Sequence, residues 1–409
     1  MIVMPECISL TPAGGAGTRI KALTTDRLKP SVPFGGIYRI IDFALNNLYN
    51  SGLKDHNYFL VQAKAKSLND HFDEWKIQRH FHIHSIAPGQ TEMEWYKGSA
   101  DAIRLNMDIV RNEKPDYVVI LSGDHVYKMD YRPFIRYHIE NHKRNGTALT
   151  ISTIEVPKER AKDFGIIDVD GPMVTGFREK PREMPKEESV LASMGIYIFD
   201  AKVLMDVFSD GGIDIGRNIV PNMLGLHKIS AYNYTKENKI IEELYEMRDG
   251  MRNVVVAESP DSGYWMDVGK VHSYYKASMD LVGATPKFNL YGKRWPFWSV
   301  YSGNLPPAKL SDGSLVSPGC ILGGNTVVSK SIISPMVIMQ DARISDSILG
   351  ERVQVGPGCD IRRAIIDKDV RIPPGTIIGH DYREDLRRGF DVGDEKPDYI
   401  AIVGKGFEF

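Results

Sequence analysis

The chain divides into two stretches that differ in the spacing of their apolar residues. From about Cys7 to Asp280, short β-rich runs such as YVVILSGD (117–124), ALTISTIEV (148–156) and GIYIFD (195–200) alternate with helix-like segments such as SADAIRLNMDIVRN (99–112). Strands that alternate with helices are typical of a mostly parallel sheet covered on both faces. The first stretch therefore predicts an α/β domain.

Past Pro306 the helical pattern ends, and apolar residues recur every six positions with Gly and Pro between them. These positions are Leu315, Ile321, Val327 and Ile333, then Ile338 and Ile344, then Leu349, Val355 and Ile361, then Ile366, Ile372 and Ile378. The steps between these sets are of five residues. A sustained period of six indicates a hexapeptide-repeat parallel β-helix. The alternative is a β-sandwich, whose strands would alternate every two residues.

These patterns predict three parts of the chain. Residues 1–290 form a catalytic domain, residues 291–310 a linker, and residues 311–409 the β-helix domain. The linker sequence YGKRWPFWSVYSGNLPPAK is rich in aromatic residues and proline. We expect its aromatic side chains to pack the two domains together.

Composition narrows the classes of partner. The 409 residues carry 51 Lys and Arg against 53 Asp and Glu, so no overall positive field attracts nucleic acid or an anionic membrane. No run of 18 apolar residues is present, and the start MIVMPECISL does not resemble a signal peptide. Three dispersed cysteines, Cys7, Cys320 and Cys359, suit a reducing compartment. We expect a soluble cytoplasmic protein without nucleic-acid or membrane partners.

A glycine-rich stretch near the start suggests an anion site. In LTPAGGAGTRIKALTTDRLKP (10–30), glycines that follow an apolar strand allow backbone N–H groups to approach a phosphate chain, while Arg19 and Lys29 supply positive charge. The stretch matches neither the P-loop nor the Rossmann glycine pattern. By itself, it could equally be a turn that only connects a strand to a helix.

Further motifs follow in order along nearly the whole chain. They are residues 14–52, EWYKGSADA (94–102), VVILSGDHVYKMDY (118–131), DFGIIDVD (163–170), FREKP (177–181), ASMGIYIFD (192–200), YWMDVG (264–269) and EDLRRGF (384–390). This set resembles the sugar-1-phosphate nucleotidylyltransferases, and in particular the bacterial ADP-glucose pyrophosphorylase family. The resemblance implies a Rossmann-like, mostly parallel sheet domain followed by a left-handed parallel β-helix.

The same resemblance implies an activity. ATP and α-D-glucose 1-phosphate would give ADP-glucose and pyrophosphate, for glycogen or starch synthesis, and the enzyme would be a homotetramer. An oxygen of the sugar phosphate attacks the α-phosphorus of ATP in line, so the protein has to hold two anions together and neutralise the charge on the leaving pyrophosphate. No covalent intermediate with the enzyme is needed.

Four residues match the catalytic positions of this family. Arg19 and Lys29 would stabilise the leaving pyrophosphate. Asp124 follows a β run and Asp267 lies in WMDVG, and the two would hold Mg²⁺, a hard cation that prefers oxygen ligands and bridges phosphates. An aspartate at a strand end is otherwise more often a helix cap.

Seven residues match substrate-binding positions. Lys180 would bind the phosphate of glucose 1-phosphate, and Glu179 beside it would contact sugar hydroxyls, although an isolated Glu-Lys pair is usually a solvated ion pair. Gly14 and Gly15 belong to the phosphate-approaching turn. The remaining positions, which contact the nucleotide sugar, are Tyr96, Gly165 and Ser193.

Some residues near these motifs depart from the family or carry no assigned role. His125 follows Asp124, and we expect it to make a structural hydrogen bond rather than act in catalysis. Thr11 and Pro12 replace an aliphatic pair, so the first strand is expected to end early. Arg217 and Asn218 replace the common Lys and Asp, which puts a sugar contact by either in doubt.

Three other functions share part of the pattern. A sister enzyme that uses UTP, dTTP or GTP would share the glycine turn and the carboxylates. A regulatory subunit with weak catalysis should lack some of the catalytic residues, all of which are present here. An acyltransferase is suggested by the β-helix alone, but its repeats contain no obvious catalytic histidine.

Regulation is where the sequence differs most from enteric members of the family. Those members resemble one another in binding a sugar bisphosphate activator and the inhibitor AMP in a basic pocket. Here Asp26 replaces a lysine, Pro33 a histidine and Asn112 an arginine, whereas Arg39 is retained and Lys368 keeps the charge of an arginine. We expect a weak response to fructose 1,6-bisphosphate and AMP, and a monophosphate or carboxylate effector bound through Arg39 and Lys368.

Overall fold

The structure is a computed structural model of the chain. It describes residues 6–15, 17–62, 65–88, 96–209, 211–248, 251–283, 285–301, 305–393 and 398–409, with backbone only at 245–248 and 251–253. Strands of the first domain are β1 Cys7–Pro12, β2 Pro33–Phe34, β3 Tyr38–Arg39, β4 Asn57–Leu60, β5 Ile83–Ile86, β6 Tyr117–Ile120, β7 His125–Tyr127, β8 Thr147–Pro157, β9 Gly165–Asp170, β10 Met173–Glu179, β11 Ser189–Asp200, β12 Lys228–Asn233, β13 Ile241–Arg248, β14 Met251–Glu258 and β15 Trp265–Asp267.

Helices surround these strands. They are α1 Ile41–Asn50, α2 Lys66–Arg79, α3 Ser99–Arg104, α4 Met107–Glu113, α5 Tyr131–Asn145, α6 Ala201–Val207, α7 Val220–Met223, α8 Tyr234–Glu237, α9 Val271–Met279 and, in the second domain, α10 Tyr382–Arg387. Helix α5 begins where the Asp130 carboxylate accepts the Arg132 N–H (2.9 Å), and it ends at Gly146, whose φ of 72° suits glycine. Within the described ranges, none of the helices has the length and apolar character that would let it cross a membrane.

The central sheet runs in the order β5-β4-β1-β6-β11-β8-β12-β10-β9. Its first four strands are parallel, as are β8 and β12, whereas β11 is antiparallel to both β6 and β8. In β6, Val118 and Ile120 pack into one apolar cluster while Val119 packs into the other, so both faces are buried. The α/β class is confirmed, and the sheet is mixed rather than uniformly parallel.

The first strand does not end early. It runs to Pro12, which pairs with Leu60 of β4, so the expectation from Thr11 and Pro12 is wrong. On the other side, its pairing with β6 ends at Leu10. The missing N–H of Pro12 therefore breaks no bond to β6, and the glycine turn begins at the carboxyl edge of the sheet.

The second domain is a parallel β-helix, as predicted. Its strands are β16 Ala308–Lys309, β17 Leu315–Val316, β18 Ile321–Gly323, β19 Val327–Ser329, β20 Ile332–Ile333, β21 Ile338–Gln340, β22 Arg343–Ser345, β23 Ile348–Leu349, β24 Gln354–Val355, β25 Asp360–Arg362, β26 Ala364–Ile366, β27 Arg371–Ile372, β28 Ile377–Ile378, β29 Asp391–Val392 and β30 Ala401–Val403. Three parallel stacks form its faces: β17-β20-β23-β26, β18-β21-β24-β27 and β19-β22-β25-β28. Ile321, Val327 and Ile338 are exposed, although the six-residue period predicts them as apolar core positions. They pair in register with the exposed residues Gln354 and Arg343 and so face outward, whereas the next residue in each strand faces the core, as Met339 does. The predicted register is therefore wrong by one residue at these three positions.

The linker joins the domains as its aromatic residues predict. Trp295 and Phe297 are buried in one apolar cluster with Leu315 and Ile332 of the β-helix. The fully buried carboxylate of Glu242 accepts the N–H groups of residues 293, 294 and 295 at 2.7–3.0 Å. This segment is therefore fixed to the first domain as well as to the second.

Candidate active site

The carboxyl ends of β1 and β6 border two adjacent cavities. The glycine-turn cavity, about 440 Å³, is lined by Gly14, Gly15 and Tyr96 among others. The Lys180 cavity, about 320 Å³, is lined by Lys180 and Glu179 among others. The residues that line both cavities are Pro12, Ser99, Ser122 and Asp124. Such a crevice at strand ends is where open α/β sheets bind ligands.

Three predicted catalytic side chains meet at the junction of these cavities. The Lys29 ammonium lies 2.7 Å from Asp124 Oδ2 and 3.3 Å from Asp267 Oδ1. The aspartates come together because β7 and β15 are antiparallel and pair His125 with Asp267, next to Asp124. Ser122 Oγ–H donates to Asp124 Oδ1 at 2.5 Å. Two carboxylates and one ammonium thus form a single cluster.

Burial and neighbouring charges shift the pKa values of this cluster in opposite directions. Burial lowers the pKa of Lys29, but the carboxylates of Asp124 and Asp267 outweigh it, so the net pKa is raised. Burial raises the pKa of Asp124, but the Lys29 ammonium and then His125 outweigh it, so the net pKa is lowered. Lys29 and Asp124 are therefore both charged at neutral pH.

Arg19 reaches the same cluster from solvent. An ideal Cβ built on Gly269 would lie 3.2 Å from Arg19 Nη2 and 3.0 Å from Asp267 Oδ1. A side chain at position 269 would therefore occupy the space between the guanidinium and the carboxylate. The exposed guanidinium remains accessible to an anion.

His125 lies beside the cluster and is oriented by a neighbour. Trp265 Nε1–H donates to His125 Nδ1 at 3.3 Å, and the two rings meet edge to face at 5.1 Å. In the neutral ring the proton is therefore on Nε2, which lies 3.7 Å from Asp124 Oδ1 and 3.9 Å from Asp267 Oδ1. The predicted structural hydrogen bond is present.

Gly14 and Gly15 shape the glycine-turn cavity in different ways. A Cβ on Gly14 would lie 2.5 Å from Gln62 Cγ, whereas a Cβ on Gly15 would meet nothing within 4 Å. The packed Gln62 side chain donates through Nε2 to the Tyr96 carbonyl at 3.1 Å, and Asn106 Nδ2 donates to the Tyr96 hydroxyl at 3.0 Å. Gly14 thus permits close packing, and Gly15 leaves open space for a ligand.

Glycines also surround the carboxylate of the Lys180 cavity. Glu179 Oε2 lies 2.8 Å from the Cβ position of Gly165 and 2.6 Å from that of Gly216. Lys180 has a left-handed φ of 47°, and its N–H donates to the Phe164 carbonyl at 2.9 Å. Its ammonium lies 3.0 Å from Glu179 Oε1 and is half exposed. Both side chains are thus available at the cavity wall.

Ser193 lies deeper in the same cavity. It is 8% exposed, and its hydroxyl accepts the Gly195 N–H at 3.2 Å and lies 3.3 Å from the Tyr197 hydroxyl. These groups form a small polar network on the cavity wall. It is suited to a polyhydroxylated ligand, because hydroxyl groups both donate and accept.

Comparison with known proteins accounts for both domains. Residues 10–283 match the nucleotidyl transferase family, and residues 307–396 match the family described as GlmU-like, C-terminal hexapeptide. The glucose-1-phosphate adenylyltransferase of Geobacter metallireducens is 40% identical, over 94% of each chain. The enzyme of the same name from Koribacter versatilis is 41% identical, over 94% of this chain and 93% of its own length. The one from Cutibacterium acnes is 36% identical, over 98% of both chains.

The chain belongs to the glucose-1-phosphate adenylyltransferase family. The predicted family resemblance is confirmed, as is the combination of a nucleotidyl transferase domain with hexapeptide repeats. Among the residues that line the two cavities are Gly14, Gly15, Tyr96, Asp124, Gly165, Glu179, Lys180, Ser193 and Asp267.

Several other residues line the cavities but have no role predicted from the sequence. Asp214 lines the Lys180 cavity, and its backbone N–H is held by Asn218 Oδ1 at 3.0 Å. Asn218 thus shapes the wall, whereas Arg217 is exposed and lies outside the residues that line the cavity. Asp163 and Gln62 also line cavities. Asp163 begins the motif DFGIIDVD (163–170) and Asp214 lies three residues before Arg217, whereas Gln62 lies outside the motifs.

The two predicted effector residues lie away from these cavities. Arg39 and Lys368 line a third cavity of about 80 Å³ between the catalytic domain and the β-helix. Arg39 donates to the Ser67 carbonyl and, at 3.0 Å, to its hydroxyl. Burial and then Arg27 lower the pKa of Lys368. Arg27 is paired with Asp367 through bonds of 2.7 and 3.1 Å.

Proposed function

We propose that this protein transfers the adenylyl group of ATP to α-D-glucose 1-phosphate, giving ADP-glucose and pyrophosphate. The supporting observation is the cluster of Lys29, Asp124 and Asp267 at the junction of two cavities. A reaction between two anionic substrates needs such a junction, because the attacking oxygen and the leaving oxygen lie on opposite sides of one phosphorus. ATP binds on the glycine-turn side and glucose 1-phosphate on the Lys180 side.

The chain's own groups contribute to positioning and to charge neutralisation. A phosphate oxygen of glucose 1-phosphate bonds to the α-phosphorus as the bond from that phosphorus to the pyrophosphate oxygen breaks. Lys29 and Arg19 stabilise the negative charge on pyrophosphate, and Lys180 holds the attacking phosphate. The nucleophile is already an anion, so no side chain has to remove a proton.

Asp124 and Asp267 fit a magnesium ion. Among the described residues no group of three or more His, Cys, Asp or Glu forms a metal site, but Mg²⁺ commonly takes one or two carboxylates and completes its shell with phosphates and water. The carboxylates converge on one cation, Lys29, and both are about one third exposed. Magnesium bound there would neutralise phosphate charge.

An effector with a single anionic group fits the third cavity. The cavity is small, at about 80 Å³, and Arg39 and Lys368 border it together with one carboxylate, that of Glu351, which would repel a second anionic group. Pro33 lines this cavity at a position where an ionisable side chain would add positive charge. Asp26 and Asn112, which replace a lysine and an arginine, are exposed and add no positive charge either. These features support a monophosphate or carboxylate effector rather than a bisphosphate.

A homotetramer is the assembly that we expect. Apolar side chains on one end of the β-helix support a contact between subunits: Ile321 is 60% exposed, Met336 52% and Val327 52%. Light scattering after gel filtration measures the assembly directly. A monomeric mass at micromolar concentration would contradict it.

Pyrophosphate release tests the activity. Each of ATP, UTP, dTTP and GTP is combined with several sugar 1-phosphates, and Asp124→Asn provides the inactive control. ATP with glucose 1-phosphate should give the highest kcat/KM. A preference for another nucleotide would identify a sister enzyme, and release no faster than Asp124→Asn with every pair would favour a regulatory subunit.

A further inference from the structure

Two charged residues without an assigned role meet at the edge of the Lys180 cavity. Lys270 Nζ lies 3.1 Å from Asp163 Oδ1. Asp163 lines the cavity directly before Phe164 and Gly165, which line it too. Lys270 comes three residues after Asp267 and directly before helix α9. The pair therefore joins two segments of the cavity wall.

The charge of the cavity gives this pair its importance. The residues lining it include five carboxylates, those of Asp124, Asp163, Glu179, Asp214 and Asp267, but one lysine, Lys180. A dianionic sugar phosphate would be repelled by such a wall unless cations offset it. Lys29 offsets two of these carboxylates, and Lys270 offsets Asp163.

The backbone on both sides of the pair is fixed while the side chains remain partly exposed. The Lys270 N–H donates to Ser273 Oγ at 3.0 Å, which fixes the start of α9. Phe164 packs on Trp265 with ring centroids 5.2 Å apart. The Lys270 and Asp163 side chains are 48% and 36% exposed. An ion pair this exposed is weak, so its lysine is free to change partners.

We propose that Lys270 is a further binding residue for the sugar phosphate. In the free enzyme its ammonium pairs with Asp163, and when glucose 1-phosphate enters, the ammonium transfers from the carboxylate to the phosphate. Asp163 thereby competes with the substrate for Lys270 and limits binding of the phosphate. This inference rests on the proposed function and adds a specificity determinant for the same site.

The test replaces each member of the pair in turn. If Lys270 binds substrate, the two replacements change the KM for glucose 1-phosphate in opposite directions, whereas a purely structural pair would change it in the same direction. Lys270→Ala should raise the KM for glucose 1-phosphate roughly three- to ten-fold at low salt, with smaller effects on kcat and on the KM for ATP. Asp163→Asn, which releases the lysine, should lower that KM. Lys270→Arg should restore most of the binding. Lys276→Ala removes an exposed lysine from the same helix and is the matched control.

Salt provides a second readout. The difference between wild type and Lys270→Ala should shrink as ionic strength rises, because an exposed charge is screened. If both variants raise the KM and lower the Tm alike, the pair is only structural and the inference is overturned. A wild type without turnover would refute the proposed function and this inference together, whereas an active wild type with unchanged variants refutes only the inference.

Discussion

Replacing Lys29 by methionine should separate the charge of this residue from its volume. The side chain is 6% exposed, and its ammonium is the cation that two carboxylates share, at 2.7 and 3.3 Å. Methionine fills similar space without charge. We expect kcat to fall by roughly two orders of magnitude or more, the usual loss for one electrostatic stabiliser of a leaving group. Lys29→Ala should lose at least as much.

The same change has a calculable effect on stability. Breaking a fully buried ion pair from one side costs about 3–5 kcal/mol. Asp124 and Asp267 keep 32% and 30% of their side chains exposed, so water screens the carboxylates that remain. We therefore expect Lys29→Met to lower the free energy of unfolding by about 1–3 kcal/mol at neutral pH. This figure covers the loss of both ion pairs together.

The sign of the pH dependence follows from the two shifted pKa values. The pKa of Asp124 is lowered in the folded protein. Its contribution to the free energy of unfolding is therefore fully present above the ordinary pKa of 3.8, and it is lost as the pH falls through the lower pKa of the folded state. The pKa of Lys29 is raised, so its contribution is present below 10.5 and is lost as the pH rises through the higher folded value. The stability difference between wild type and variant should be constant between these limits.

Denaturant unfolding at several pH values and initial rates of pyrophosphate release measure both effects. Far-ultraviolet circular dichroism checks that the variant is folded. A folded Lys29→Met enzyme with near-normal kcat would refute the assignment of Lys29 to the leaving group. A stability difference that grows below pH 3.8 would refute the ion-pair account.

Three further outcomes are expected. Lys180→Ala should raise the KM for glucose 1-phosphate roughly tenfold or more, and the KM for ATP far less, because a charge-assisted bond to phosphate is lost; equal effects would move Lys180 out of the sugar-phosphate site. Gly165→Ala should raise the same KM several-fold, since its Cβ would overlap Phe177 and lie 2.8 Å from Glu179 Oε2, whereas Gly263→Ala, with only ordinary contacts, should not. Millimolar fructose 1,6-bisphosphate should change the initial rate little, and roughly tenfold activation would show that an effector pocket of other residues exists.

Local patterns in the sequence predicted those structural elements that are determined by residues close together along the chain. The six-residue period predicted the β-helix, and the strand CISL followed by glycines predicted the turn beside β1. The glycine-rich stretch pointed to Lys29, the family resemblance identified Asp124 and Asp267, and the structure brings the three together. The spacing along the chain does not predict this contact, because 95 residues separate Lys29 from Asp124 and 143 separate Asp124 from Asp267.

Features that depend on long-range packing could not be read from the chain. The antiparallel position of β11 between β6 and β8 depends on the order of strands in the sheet. The pair of Asp163 and Lys270 joins segments 107 residues apart. Thr11 and Pro12 misled the prediction, because whether a proline ends a strand depends on which neighbour would have accepted its N–H.

The arrangement around Asp124 also explains why a histidine beside a reacting phosphate need not be a base. Trp265 donates to His125 Nδ1, so the neutral ring carries its proton on Nε2, towards Asp124 and Asp267. Such a ring presents a hydrogen-bond donor to these carboxylates from the wall of the Lys180 cavity. The attacking sugar phosphate is anionic and brings no proton that must be removed. With Nδ1 accepting from Trp265 and the Nε2 proton directed at two carboxylates, the ring has no unoccupied nitrogen that could act as a base, in keeping with a structural role for His125.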